Sequence, residues 1–387
     1  MVIKNHELFF FLFVCIKFFI IFAKNFKNLS NMLNNDKDIK NIEKIKTFLE
    51  SENISYEYEI LTDTIISGIG NKILIQEPTF FLNDRALEVR YINSISHKLD
   101  YSKRFGKIQE GIPKNYFAKL SQKNKENGIR TIFIKDYEIE ESSDIIDCFT
   151  LEKIENYHRK WEVLKSYILT ATGNIKNRIY ARDCEVRIVQ SKAPNNEAKR
   201  FLEQFCFYGN RNANINLGLY LKKDKCGFNA GTLLFMTTFG MNFYGNKGKE
   251  EPSIEVIRVA TVTNTQVIGG ASKILKYFFE NYPTIRIETK KMDIPVKRVV
   301  FYVDACHNSA NSMEILGYEF VSWDSTGGFH NFAAKEINIP ELKVEQGKVF
   351  QRKPMIHGKI MELMGTGHVI SIGTAGTIVY QLRRENL

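Results

Sequence analysis

The chain lacks the cysteine spacing that builds covalent or metal frameworks. Its six cysteines, Cys15, Cys148, Cys184, Cys206, Cys226 and Cys306, are scattered over 387 residues and form no C-x-x-C pair. This excludes a zinc ribbon and a disulfide scaffold, and it favours a reducing compartment. None sits in a recognisable nucleophile motif with a histidine and an acid, so all six read as small apolar fillers. Internal repeats and low-complexity linkers are also missing. Long apolar runs are scarce: Leu8 to Ala23 is the candidate, and Lys17 interrupts it. It is short for a spanning helix, and a central lysine costs about 2.5–3.5 kcal/mol on insertion scales. A signal peptide needs a small-residue cleavage site, and only Ala23 is offered before Lys24 and Asn25. The reading preferred is that Met32 is the start and that residues 1–31 are an apolar leader outside the native chain. An intracellular protein without stable membrane association is then expected, a membrane or secreted form staying open if the leader is retained.

What is present describes a globular protein. Apolar residues make up 44% and charged residues 25%, and the length suffices for two domains with separate cores. Lysine and arginine number 54 against 44 acids, a formal charge of +10 that suits an anionic partner such as nucleic acid. Ile42, Ile45, Phe48 and Leu49 line one helix face. Extended segments follow at Tyr56–Leu61 and Lys72–Gln76, with a β-hairpin from Thr79 to Tyr91 around Asn83-Asp84. A helix over Lys114–Asn127, a strand over Arg130–Ile134 and a long helix over Leu151–Thr172 complete a mixed α/β domain. Lys176 to Arg182 is a basic bridge. Beyond it the pattern reads strand, helix, strand, strand, and the tail from Pro354 suggests a terminal hairpin.

The stretch Glu255 to Phe320 organises the second half. A β-branched strand leads into Gln266-Val267-Ile268-Gly269-Gly270-Ala271, then a helix with Ile274, Leu275 and Phe278 at helical spacing. A helix opening after such a turn points unpaired N–H groups at its mouth, where an anion is favoured. A second strand, Val299 to Val303, precedes a short helix from Asn308 to Leu316 and Gly317 as its C′ residue. These pieces resemble the acyl-CoA-binding half of the GNAT acetyltransferase fold, whose pyrophosphate turn reads Q/R-x-x-G-x-G/A. Gln266, Gly269 and Ala271 fit it, with Gly270 between them. Gly317-Tyr318 stands where the family has Gly-Phe, and Met313 stands where a tyrosine often acts as general acid.

A resemblance covering roughly Ile42 to Leu382 rests on several strings in one order: NYFAKLSQKNKENGIRTIFI at Asn115, KNRIYARDCEVR at Lys176, NLGLYL at Asn216, MTTFG at Met236, VIGGASKILKYF at Val267 and EILGYEF at Glu314. Together they are similar to phage-type homing endonucleases in which a very-short-patch-repair-like PD-(D/E)xK nuclease domain precedes a GNAT-like domain. The resemblance implies an α/β fold of α+β type with two mixed-sheet domains. Their bounds are expected at 32–172 and 183–335, with a joint at 173–182 and a C-terminal extension at 336–387.

The same resemblance implies a Mg²⁺ site of carboxylates on two adjacent strands. Its two acidic positions fall at Thr79 and Arg90. Glu88, on the same strand face as Arg90, is the remaining candidate metal ligand and catalytic carboxylate. The family's Trp-His pair survives as Ser96-His97, which makes His97 the second candidate catalytic residue, while a helix histidine and lysine fall at Phe117 and Leu120. In the second domain Asp304 and Asn311 persist, but an Arg-Arg-Trp run becomes Ala305-Cys306-His307. The expectation is a DNA-binding protein of a phage or mobile element with impaired or lost nuclease activity. Duplex DNA is its partner, through Lys176, Arg178 and Arg182. The alternative is an acetyl-CoA-dependent N-acetyltransferase using Gln266 to Ala271; a decayed product without activity is the third possibility.

Overall fold

Pro78 governs how the first sheet is laid out. In the computed structural model, which describes residues 36–67, 70–100, 111–244, 251–287, 292–307, 311–323, 329–350 and 357–386, Pro78 does not break its strand. β1 (Tyr56–Ile66) and β2 (Lys72–Leu82) run antiparallel along their full lengths, with Ile60 opposite Pro78. β3 (Leu87–Ile92) joins the other side of β2 only from Thr79, which faces Arg90. The proline, which lacks an N–H, therefore sits one residue outside the β2–β3 pairing. The β2–β3 turn places Asn83, Asp84 and Arg85 at positive φ. α2 (Tyr116–Glu126) then crosses over, and β4 (Arg130–Lys135) adds parallel to β3 with Phe133 opposite Arg90. Before this sheet comes α1 (Asp36–Ser51), whose Ile42, Ile45, Phe48 and Leu49 are buried as its spacing predicts.

After α3 (Asp136–Glu140), β5 (Ser143–Ile146) and β6 (Lys153–Tyr157) pair, and α4 (Arg159–Thr172) follows. The helix expected from Leu151 is thus shortened. Leu151 and Asn156 take positive φ, which a right-handed helix cannot hold. β7 (Asn177–Tyr180) comes next, and β8 (Cys184–Ile188), α5 (Glu197–Phe205), β9 (Ile215–Leu221), β10 (Leu233–Tyr244) and β11 (Glu251–Thr261) form an antiparallel succession. β12 (Thr265–Ile268) leads into α6 (Gly270–Asn281), β13 (Thr284–Ile287) and β14 (Met292–Pro295) form a side hairpin, and β15 (Arg298–Asp304) returns parallel to β11. α7 (Asn311–Ile315) and β16 (Glu319–Trp323) follow. The tail contributes β17 (Phe329–Ala333), β18 (Ile337–Ile339), β19 (Leu342–Val344), β20 (Val349–Phe350), α8 (His357–Gly365), β21 (Val369–Gly373) and β22 (Thr377–Arg383).

The large sheet has seven strands in the order β16-β22-β15-β11-β10-β9-β8. Its parallel pair, β11 and β15, is joined only from Ile254–Val256 to Val299–Phe301, after which the strands separate. The expected terminal hairpin does not form. β21 pairs with β17, whereas β22 inserts between β15 and β16, so consecutive strands enter different sheets.

The division into compact units falls between Ser51 and Glu52. The segment 173–182, expected as a basic joint, lies inside the second unit. Lys176–Arg182 contains β7, which pairs in parallel with β12, and its Ile179 and Ala181 are buried. One apolar core runs from Ile65, Ile92, Phe117 and Phe133 in the first half to Leu219, Ile274, Val303 and Tyr380 in the second. The Phe133 N–H donates to the Cys306 carbonyl at 2.9 Å, tying β4 to the turn that follows β15. The fold is mixed α/β, and among the described residues the four-stranded and seven-stranded sheets combine parallel and antiparallel pairs. Among the described residues no helix is long and apolar enough to cross a membrane; the apolar leader lies outside them.

Candidate functional site

Strand alternation places Glu88 and Arg90 on one face of β3, and Glu77 and Thr79 on the matching face of β2. Because Thr79 is registered with Arg90, Glu77 reaches the same guanidinium from the neighbouring strand. Arg90 Nη1 lies 2.6 Å from Glu77 Oε2, and its Nε and Nη2 lie 2.8 and 2.7 Å from Glu88 Oε2. Around this ion triad the polar groups are closed off. Tyr116 Oη donates to Glu77 Oε1 at 2.9 Å, and His97 Nε2 stands 3.3 Å from the same oxygen. Asn124 Nδ2 donates to Glu88 Oε2 and to Thr131 Oγ1, both at 2.8 Å. Thr79 Oγ1 donates to the Glu77 carbonyl. All three charged side chains of the triad are buried.

Such burial makes charge state a matter of pairing. Desolvation alone pushes the Glu77 carboxyl up, yet His97 and Arg90 hold it down at about 2. Burial works against the Arg90 charge, and Glu77 and Glu88 more than restore it. Burial and the neighbouring Glu77 raise the Tyr116 phenol, which stays a donor. Because Glu77 sits below its ordinary 4.5, its stabilising contribution is complete above that pH and is lost as pH falls towards 2.

A divalent ion does not fit this donor set. The point where carboxylates from β2 and β3 converge is filled by a guanidinium that already satisfies both. Among the described residues no three histidine, cysteine, aspartate or glutamate side chains are grouped to hold a metal. His97 is fully buried, with Nδ1 2.9 Å from Ser96 Oγ and 3.1 Å from the Asn93 carbonyl. Phe117, in the position expected for a histidine, packs edge-on against Phe133 in the core. Glu77 falls in the gap between the extended segment expected to end at Gln76 and the hairpin expected to open at Thr79. The signal that finds it is parity: two residues before Thr79 on one strand means the same face.

A second buried polar cluster surrounds Asp304. The Asp304-Ala305-Cys306-His307 turn is closed by Cys306 N–H donating to Asp304 Oδ1 at 2.9 Å. His307 Nδ1 is 2.7 Å from Asp304 Oδ2 and its Nε2 is 3.6 Å from Glu138 Oε2. Burial opposes charge on this imidazole, but the two carboxylates raise it to about 9. Lys135 Nζ lies 3.4 Å from Glu138 Oε1 and 3.8 Å from Cys306 Sγ. Burial pushes the Cys306 thiol up to about 12, so it is no nucleophile at neutral pH. Sequence reading kept Asp304 but missed Lys135 and Glu138, which meet it only through the fold. Asn311 opens α7, and its side chain lies outside the described residues.

Past Val256 and Phe301, the crevice at the carboxyl ends of β11 and β15 is where a ligand of a parallel β-α-β unit would enter. Here Cys206–Gly209 crosses it. Tyr208 Oη donates to Asp304 Oδ2, Arg258 Nε donates to the Gly209 carbonyl at 3.0 Å, and Phe207 packs on the His307 ring at 4.5 Å.

The glycine turn takes its expected form. Gly269 is the residue before α6 with φ +75, a torsion glycine holds without strain. Gly270, by contrast, is buried, and an added Cβ would meet Leu219 Cδ1 and Val267 Cγ1 at 3.2 Å. It is a packing glycine and does not line an open cradle. Gln266 and Ala271 are half-buried. Lys273 Nζ donates to the carbonyls of Ala181 and Cys184, at 2.9 and 2.6 Å, and so fastens α6 to the segment after β7.

The three basic candidates diverge in use. Lys176 pairs with Glu52 at 3.0 Å, and Arg178 Nη2 donates to the Gly173 carbonyl at 2.8 Å. The Arg182 guanidinium lies over the Tyr180 ring at 4.7 Å. β7–β12 pairing registers Arg178 with Gln266, uniting two stretches that the sequence presents separately. No protein-family model matches this chain, and no curated protein matches it.

Proposed function

We propose that the chain is a homing-endonuclease-like DNA-binding protein, of phage or mobile-element origin, whose nuclease centre has become a structural ion cluster. Residues 32–172 correspond to the nuclease-like module and 183–335 to the GNAT-like module. The observation that carries this reading is the Arg90 guanidinium bound between Glu77 and Glu88, where the resemblance calls for a metal held by carboxylates from adjacent strands. The basic balance and the exposed Arg178 and Arg182 support duplex binding through phosphates.

Purified protein should leave supercoiled plasmid intact with Mg²⁺ or Mn²⁺, and should bind a duplex whose affinity falls steeply with added salt. Metal-dependent nicking that disappears in Glu88→Ala would mean that a working site exists and that the reading is wrong.

The acetyltransferase reading keeps one favourable observation, the left-handed Gly269 at the start of α6. Against it stand the residues 206–209 laid across the β11–β15 crevice and Met313, buried and without a proton to give. Titration calorimetry with acetyl-CoA should give no heat of binding at micromolar concentrations. Binding there would put the transferase reading first.

A further inference from the structure

The outer face of the β7–β12 pair carries Tyr180 and Ile268, which the duplex-binding reading leaves unused. Parity places Arg178 and Tyr180 of β7 on the face opposite the buried Ile179, and register sets Gln266 beside Arg178 and Ile268 beside Tyr180. Tyr180 is 44% exposed and Ile268 37% exposed, while Ile179 and Val267 behind them are in the core. An exposed aromatic and aliphatic pair on a two-stranded ribbon is therefore backed by rigid packing. Cations gather at its rim. Arg182 Cζ is 4.7 Å and Lys225 Nζ 6.0 Å from the Tyr180 ring centre. Lys222 is exposed and donates to the Arg182 carbonyl at 3.0 Å, and Lys223 beside it is also exposed. Asp183 pairs with Lys225 and offsets part of this charge.

Duplex phosphates need the cations but not the aromatic ring. A ring and a guanidinium stacked together at a basic surface instead match an unpaired base, which offers a π face for stacking and a phosphate on either side. Gln266, with both a donor and an acceptor, stands two residues before Ile268 on the same face, within the strand that a base edge would meet. We infer that the β7–β12 face is a single-strand platform, on which a base of unpaired DNA stacks against Tyr180 and Ile268 while Arg182, Lys222 and Lys225 hold the flanking phosphates. This rests on the nucleic-acid reading proposed above and narrows it to one surface and one strand state.

The test uses the full chain and two fluorescent probes, a 15-nucleotide oligothymidylate and a random-sequence duplex of equal length, in anisotropy titrations over a range of salt. Wild type should bind both. Tyr180→Ala should weaken single-strand binding about tenfold, the scale of one lost base–aromatic stack. Duplex affinity should change less than about twofold, since phosphate contacts remain. Tyr180→Phe should bind as wild type, and Arg182→Ala with Lys225→Ala should flatten the salt dependence for the single strand. The side chain is exposed, and an unchanged melting temperature of Tyr180→Ala confirms folding. Duplex binding without single-strand binding overturns the platform and leaves the DNA-binding reading standing. Failure to bind either probe overturns both. Equal weakening of both probes by Tyr180→Ala, or displacement of the oligonucleotide by micromolar acetyl-CoA, also overturns the platform.

Discussion

Arg90→Met should destabilise the protein by about 3–5 kcal/mol, the cost of leaving buried carboxylates without their cation. The methionine fills much of the arginine's volume, so the loss reports charge and hydrogen bonding more than a cavity. Both Glu77 and Glu88 lose their ion partner, and what remains for them is Tyr116, His97 and Asn124. Chemical denaturation at pH 7 measures the loss. The triple variant Glu77→Gln, Glu88→Gln, Arg90→Met should recover most of it, because neutral amides can keep the hydrogen bonds without a buried charge. If Arg90→Met costs less than about 1 kcal/mol, the triad is not an organising feature of the sheet.

A constructive variant tests whether this sheet can hold a divalent ion once its cation is removed. Thr79→Asp with Arg90→Glu removes the cation and adds two carboxylates beside Glu77 and Glu88. It should lower stability in metal-free buffer and gain melting temperature with millimolar Mg²⁺ or Mn²⁺, as any ligand binding only the native state must. The wild-type protein should show no such shift.

Stability should also fall as pH rises from about 6.5 to 9, by on the order of 3 kcal/mol, through His307. Its pKa is raised from 6.5 to about 9, so its contribution is fully present below the first value and lost as pH climbs through the second. Asp304 and Glu138 face the ring as carboxylates, Phe207 and Tyr167 cover it, and Lys135 and Cys306 flank the cluster. Glu138 is held at about 2 by Lys135 and His307 against burial, so neither it nor the thiol titrates in this window. His307→Gln should be less stable at pH 6 and show little further decline up to pH 9. Persistence of the full alkaline decline in that variant would assign it to another group.

Local chemistry was enough for several elements. Hydrophobic spacing marked α1, α2 and α6, and Gly269 marked the start of α6 because its torsion is one that side chains resist. The hairpin at Asn83-Asp84 and the strand ending at Ile134 were equally plain, since period-two patterns are local. The same local logic failed where torsion or partner choice overrode it. Asn156 broke the helix expected from Leu151, and β21 and β22 diverged because each found a better neighbour than the other. For the site, sequence alone shows that Thr79 is neutral, Arg90 cationic and Glu88 on the same strand face as Arg90. Only the tertiary structure decided which groups meet Arg90, because its pairing with Glu77 depends on β2 running unbroken through Pro78. Likewise Asp304, His307, Lys135 and Glu138 lie on segments more than 160 residues apart, and burial gave them one electrostatic fate that no spacing along the chain encodes.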